Sequence, residues 1–471
     1  VQDPASPVEE TPGSPPRWRL WRPRRHDLLP LALVALVIAA SAAFVIGGER
    51  HFGPIDEFQH YDYITEIVYH HRIPVPGDTF TQEAMRAHAC HPGQSATRQP
   101  PCDSASFSPS DFETGGQATT GGYPPAYYVP TALVAWGIST VTRASDLFIA
   151  ARIASVLWLV LGAALTYLLA RSFAAGRWLA AGVALLAALA PMMLYQGSTV
   201  NPDSMSLLAG AGAAAAWLSL RASARWRHVV ILCLVLAGIA LIKPNFLAVP
   251  IAVALAEIAL AARGGARSLA TRTTWSLGSP TTRVCLAAVG ASLLGVAWPF
   301  YFRLVRGTAS ALVPGTPAFG AARWNTEIAF RGWANSLAPL AGLPKAFDRG
   351  WFVLLSALVD ALVISGVVAA VLMSRRRELQ EDLVSSRGAA PLDPLRALGY
   401  LGAASLVVAA PVMYVVVAAS RAFIIYPPRY SLFIVPIGLV ALVGLSASPG
   451  SAARYLRERD RPRQSIDAPD T

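Results

Sequence analysis

Apolar runs separated by short arginine-bearing turns recur along almost the whole chain. The first, Leu28–Ile46, directly follows Arg17, Arg19, Arg22, Arg24 and Arg25. Its length and its basic flank predict a helix running from inside to outside. Later runs fall at Leu147–Ala170, Trp178–Tyr195, Asp203–Leu220, Val229–Ile242, Phe246–Ala262, Val284–Phe302, Trp351–Met373, Leu395–Ala418 and Tyr430–Leu445. A hydrocarbon core gives backbone groups no water to bond, so a run that crosses it must close its own hydrogen bonds as a helix. With 54% apolar and only 14% charged residues, the chain is too hydrophobic for an ordinary soluble domain. The expected class is an all-α polytopic membrane protein.

The segment Tyr123–Val141 decides the topology. It contains Pro124, Pro125 and Pro130, which suit backbone shielded by protein or water rather than lipid. Were it a crossing, the arginine clusters at 171–177, 221–227, 263–272, 375–377 and 454–463 would all face outward, against the positive-inside tendency. Read instead as re-entrant or juxtamembrane, it leaves about ten transmembrane helices with cytoplasmic N and C termini. The net charge of +11 is then a consequence of topology and implies no nucleic-acid partner. Residues 1–27 read as a disordered basic cytoplasmic tail, 28–446 as the transmembrane domain and 447–471 as a second basic tail.

Two stretches are long enough to form extramembrane loops facing outward, 47–122 and 303–350. The first holds ten acidic side chains and six of the eight histidines; its start, Glu57–Arg72, places Tyr61, Ile64 and Val68 on one face of an interfacial helix. Cys90 and Cys102 share this loop and are the pair placed to form a disulfide, while Cys233 and Cys285 lie in apolar runs. The second loop departs from the charge rule, carrying Arg323 and Arg331 among six basic residues, which suits an anionic ligand or lipid headgroups.

Four polar stretches collect on the outer side: Asp56-Glu57-Phe58-Gln59-His60, Asn201-Pro202-Asp203, Lys243-Pro244-Asn245 and Pro427-Pro428-Arg429-Tyr430. Each has a plain reading. The carboxylates can cap a helix, Asn201 is a good N-cap with Pro202 and Asp203 in the first turn, Lys243 can snorkel, and Arg429 can anchor a helix end. Each also has a chemical reading. Adjacent carboxylates repel, so the pair does not ionise independently, and one of them can serve as a base. Arg429 joins a guanidinium to a helix start, a combination suited to phosphate. Three neighbouring residues, Asp56, Glu57 and His60, make a weak set of divalent-cation ligands.

The order of a long apolar span, an external Asp-Glu, Pro124-Pro125-Ala126-Tyr127-Tyr128, an arginine-bearing span and Asn201-Pro202-Asp203 resembles the GT-C glycosyltransferases. The resemblance covers roughly 28–220 and is similar to the protein O-mannosyltransferase and aminoarabinose transferase branch, with Tyr123 standing where that branch has His before the proline pair. The further motifs at Lys243 and Arg429 resemble a bacterial group of GT-C-like membrane proteins. The resemblance implies a GT-C-like fold in a bacterial cytoplasmic membrane and an active site facing outside. It also implies a polyprenyl-phosphate sugar donor and an acceptor in a cell-envelope glycan, lipid or protein.

On that reading Asp56 is the base and Glu57 its catalytic neighbour. Substrate contacts are expected from His60, Tyr127, Asn201, Asp203, Lys243, Asn245, Arg323, Arg331, Arg429 and Tyr430. The expected reaction is hexosyl or pentosyl transfer with inversion. A phosphate leaving group needs charge stabilisation more than a metal, so no cofactor is required, a divalent cation remaining an option. Two other readings share these features: a transporter or lipid flippase, and a diphosphate-lipid oligosaccharide ligase.

Overall fold

The computed structural model describes residues 20, 22–54, 56–75, 77–92, 100–142, 146–223, 225–263, 279–305, 337–340, 350–384, 394–420 and 428–446. They form α-helices joined by 3-10 turns, with no strand among the described residues beyond an isolated bridge between Thr79 and Gln117. The helices are α1 (Arg25–Gly48), α2 (Glu57–His70), α3 (Gln82–Cys90), α4 (Tyr128–Thr142), α5 (Leu147–Ser172), α6 (Arg177–Leu189) and α7 (Pro191–Ser198). They continue as α8 (Ser206–Ser223), α9 (Trp226–Ala240), α10 (Ala248–Arg263), α11 (Pro280–Val305), α12 (Gly350–Val384), α13 (Pro394–Ser420) and α14 (Val435–Ser446).

Among the described residues, seven helical segments are long and apolar enough to cross a membrane, or eight if the bent pair α6 and α7 counts as one. The sequence reads Trp178–Tyr195 as a single run, but the two helices meet at 69°. Pro191 explains the break: it has no N–H for the helix ladder and its ring clashes with the carbonyl one turn back. The helix α9 and the segment Ser431–Ser446 are apolar but shorter. The element expected to be re-entrant or juxtamembrane becomes α4, fifteen residues packed on α5 and α2, with Leu133, Trp136 and Val141 exposed.

Buried polar nodes hold the bundle at the end away from the candidate site. Asp27 at the start of α1 accepts from the Tyr167 hydroxyl (2.7 Å) and pairs with Arg171 (3.3 Å). Glu257 on α10 accepts from Trp217 Nε1 (2.8 Å) and Thr281 Oγ1 (2.9 Å) and pairs with Arg221. Every buried charge here has partners on a neighbouring helix, the condition under which such groups are tolerated in a membrane bundle. Between the two ends the helices approach closely through small residues.

Gly210 on α8 is the tightest such approach, because a Cβ there would fall inside the Phe433 carbonyl oxygen. That oxygen belongs to the 3-10 turn Pro428–Ile434, which carries Arg429. Gly210→Ala is therefore expected to cost about 1–3 kcal/mol of stability through overpacking and to shift Arg429. Thermal melting of the purified variant checks it.

At the other end, the described residues between 49 and 127 fold into a layer over the bundle. The sequence predicts an interfacial α2 with one apolar face. Instead Gln59, His60, Asp62, Thr65 and Glu66 are buried along with Phe58, Tyr61 and Ile64. The cause is the layer itself: Phe80 and Phe112 pack on Phe58 of α2, Phe107 packs on Phe112, and Phe52 bridges Phe58 to Phe148 of α5. Cys90 and Cys102 form a disulfide that ties the end of α3 to the following loop.

Within this layer Asp62 accepts from the backbone and hydroxyl of Thr81 (2.8 and 3.0 Å). Burial outweighs these bonds and raises its pKa from 3.8 to about 7. Because the folded value lies above the unfolded one, the Asp62 contribution to stability is fully present below pH 3.8 and is lost as pH rises through about 7. Hydrogen exchange of α2 and α3 is expected to quicken across that window, and Asp62→Asn is expected to flatten the change.

Candidate functional site

Three proline-marked helix starts converge at the layered end of the bundle. Pro202 opens the 3-10 turn before α8, Pro244 the turn before α10 and Pro428 the turn before α14. Each proline follows or precedes a polar residue, so the three breaks deliver Asp203, Lys243 and Arg429 to one place. Arg429 Nε lies 3.5 Å from Asp203 Oδ2 and its Nη2 lies 3.5 Å from Asp56 Oδ2. Lys243 Nζ approaches the same Asp203 oxygen at 3.3 Å. Two cations thus meet two carboxylates at the long end of ion-pair distances.

Asp56 stands just before α2 in a left-handed conformation (φ 53°, ψ 12°), which aspartate tolerates better than most residues but which still stores strain. Its side chain makes no cap hydrogen bond to α2 and is 58% exposed. The capping reading therefore does not account for this carboxylate. Asn201 does behave as a cap, its Oδ1 accepting from Asp203 N at 2.9 Å, while its Nδ2 has no hydrogen-bond partner among the described residues. Lys243 is 3% exposed and so is enclosed rather than snorkelling. Asn245, on the same turn, is buried beside it.

Glu57 has a different position from its neighbour. Its Oε1 accepts from Arg152 Nε (2.8 Å) and Val200 N (2.9 Å), and its Oε2 from Arg152 Nη2 (2.7 Å) and Gly53 N (2.6 Å). Arg152 also donates to the carbonyls of Glu49 and His51. With both side chains essentially fully buried and four donors on one carboxylate, this pair joins the end of α1, the start of α2, α5 and the strand of backbone before Asn201. The arrangement orients the backbone that carries Asp56 and leaves Glu57 no lone pair for a substrate.

His60 is buried one turn into α2, with Nδ1 2.7 Å from the Tyr128 hydroxyl and Nε2 without a partner among the described residues. Burial first, then the Lys243 and Arg429 cations, hold it well below the ordinary histidine range, so it is neutral at pH 7. When Nδ1 accepts a hydrogen bond from the phenol, Nε2 carries the ring proton and is a buried donor with no acceptor among the described residues. Tyr63 stacks on Tyr128 at 3.8 Å between ring centres and fixes it. Tyr127 bonds Ser155 Oγ on α5 at 2.8 Å and also sits against the Asn201 backbone. Among the described residues, no three His, Cys, Asp or Glu side chains come together as a metal-holding group, so Asp56, Glu57 and His60 do not converge as ligands.

One family profile matches residues 31–317. The chain belongs to the DUF2142 family of predicted membrane proteins. In this DUF2142 chain the matched segment carries Asp56, Glu57, His60, Arg152, Asn201, Asp203 and Lys243, while Arg429 lies beyond it. No curated protein matches the chain. Arg323 and Arg331 lie outside the described residues, as does the side chain of Tyr430. Sequence reasoning missed Arg152 and Tyr128. An arginine near the start of an apolar run signals a buried partner, which makes Arg152 the more readable of the two.

Proposed function

We propose that this DUF2142 protein is a membrane glycosyltransferase of GT-C type, transferring a sugar from a polyprenyl-phosphate donor to an extracytoplasmic acceptor hydroxyl. The observation that carries the reading is the exposed, uncapped Asp56 carboxylate beside Arg429, which also reaches the buried Asp203, itself paired with Lys243. Asp56 takes the proton of the acceptor hydroxyl as its oxygen forms a bond to the anomeric carbon. The bond from that carbon to the phosphate oxygen breaks, its electron pair leaves with the phosphate, and Arg429 and Lys243 stabilise the charge. A single displacement inverts the anomeric centre. The sugar is a hexose or pentose, the acceptor a cell-envelope glycan, lipid or protein, and the site faces outside across about ten crossings with both termini cytoplasmic.

The test is transfer by the purified chain in nanodiscs from radiolabelled polyprenyl-phosphate sugars to envelope acceptors. Arg429→Gln is expected to raise the donor KM about tenfold or more, as loss of a charge-assisted phosphate contact does. An unchanged donor KM removes Arg429 from the phosphate site. A second reading, lipid translocation, draws on the three proline-broken helix starts and the charges buried there. It is tested in the same nanodisc preparation recast as liposomes: movement of a fluorescent lipid phosphate between leaflets without sugar transfer favours it.

A further inference from the structure

Between α1 and α5, on the outside of the bundle, runs an apolar groove of about 730 Å³. Ala35, Ala39 and Ala43 floor it from α1, and Ile153, Leu157 and Val160 wall it from α5. Both helices are among the membrane-crossing segments, so the groove opens toward hydrocarbon. From Ala35 to Gly47 it extends about 18 Å along the helix axis, close to the ~15 Å depth of a single leaflet.

The groove ends in a polar cap made of Arg50, His91 and Asp146. His91 holds this cap together: its Nδ1 lies 2.9 Å from the Arg50 carbonyl and its Nε2 3.3 Å from Asp146 Oδ2. Asp146 in turn caps α5, its Oδ1 accepting from Phe148 N at 3.0 Å. Both His91 ring nitrogens face oxygen acceptors, which favours the imidazolium. With Asp146 offsetting His91, Arg50 leaves the cap with a net positive charge where lipid phosphates lie.

We propose that this groove binds one anionic glycerophospholipid from the leaflet at the α1 C-terminal end, an acyl chain lying along Ala35, Ala39 and Ala43 and the phosphate at Arg50, whose backbone His91 holds in place. The length selects the occupant: an acyl chain fits one leaflet's depth, whereas a polyprenyl chain is too long for it. The site is separate from Asp56, Asp203 and Arg429 and does not depend on the proposed transfer.

The test reconstitutes the full chain in nanodiscs of equal phosphatidylcholine and phosphatidylglycerol, then measures retained lipid by native mass spectrometry. One phosphatidylglycerol per chain is expected, enriched about fivefold over phosphatidylcholine, the factor one basic residue near a membrane surface supplies. Ala43→Leu fills the groove and is expected to lose the lipid. Arg50→Gln is expected to keep a lipid but lose the preference, and Leu36→Ala, lipid-facing outside the groove, to change nothing. Equal retention of the two lipids by the unaltered chain, undiminished retention in Ala43→Leu, or displacement of phosphatidylglycerol by added polyprenyl phosphate would overturn the proposal. Circular dichroism melting of Ala43→Leu separates loss of the lipid from loss of the fold: a folded variant that still retains the lipid counts against the groove.

Discussion

Asp56→Asn is expected to lower kcat for sugar transfer on the order of 10²- to 10⁴-fold, the usual contribution of a general base, while the protein still inserts and melts as before. The amide keeps the shape of the side chain and removes the proton acceptor. Stability is spared because the carboxylate is exposed and caps nothing. Its contact with Arg429 is long and half in solvent, worth little in itself. The left-handed backbone tolerates asparagine as readily as aspartate, so the substitution adds no strain. Donor KM should change little, which separates this variant from Arg429→Gln. Full transfer activity in Asp56→Asn would remove the residue from the base position.

Arg152→Ala is expected to have the largest effect on stability, about 3–5 kcal/mol, because it leaves the Glu57 carboxylate buried without its main partner. It also frees the Glu49 and His51 carbonyls from their donor. Arg152→Lys should recover only part, since an ammonium cannot donate two parallel bonds to one carboxylate. The double variant Arg152→Leu with Glu57→Gln is expected to be more stable than Arg152→Ala alone, because no charge is then stranded. A detergent-resistant melting curve on the purified chain measures all three. If Arg152→Ala melts within a degree or two of the unaltered protein, the buried pair is not the joint that holds α1, α2 and α5 together.

Hydropathy made the membrane class readable, because a helix in hydrocarbon must be apolar along its length. Prolines 202, 244 and 428 made the helix starts readable for a similarly local reason: proline cannot continue a ladder but fits a first turn. What the linear order conceals is partnership. Nothing near Glu57 in sequence announces Arg152 ninety-five residues later, and without that partner two adjacent carboxylates look interchangeable. The same holds for Tyr127 and Tyr128. Tyr127 stands just before α4 and Tyr128 opens it, so which one meets His60 depends on how the start of α4 is rotated against α2. The burial of α2 was hidden for another reason: its cover is an irregular, aromatic-bearing loop with no periodic signal of its own.

The chain emerges from a ribosome with α1 and Glu57 well ahead of Arg152. An arginine within an apolar helix opposes partition into lipid by as much as ~2.5–3.5 kcal/mol at mid-bilayer, less near its edge. Glu57 and the Glu49 and His51 carbonyls already wait at that edge when α5 enters. The clamp that positions Asp56 in the finished protein is therefore expected to ease the entry of α5 as well, so that Glu57→Gln lowers the yield of membrane-integrated chain in a cell-free insertion assay.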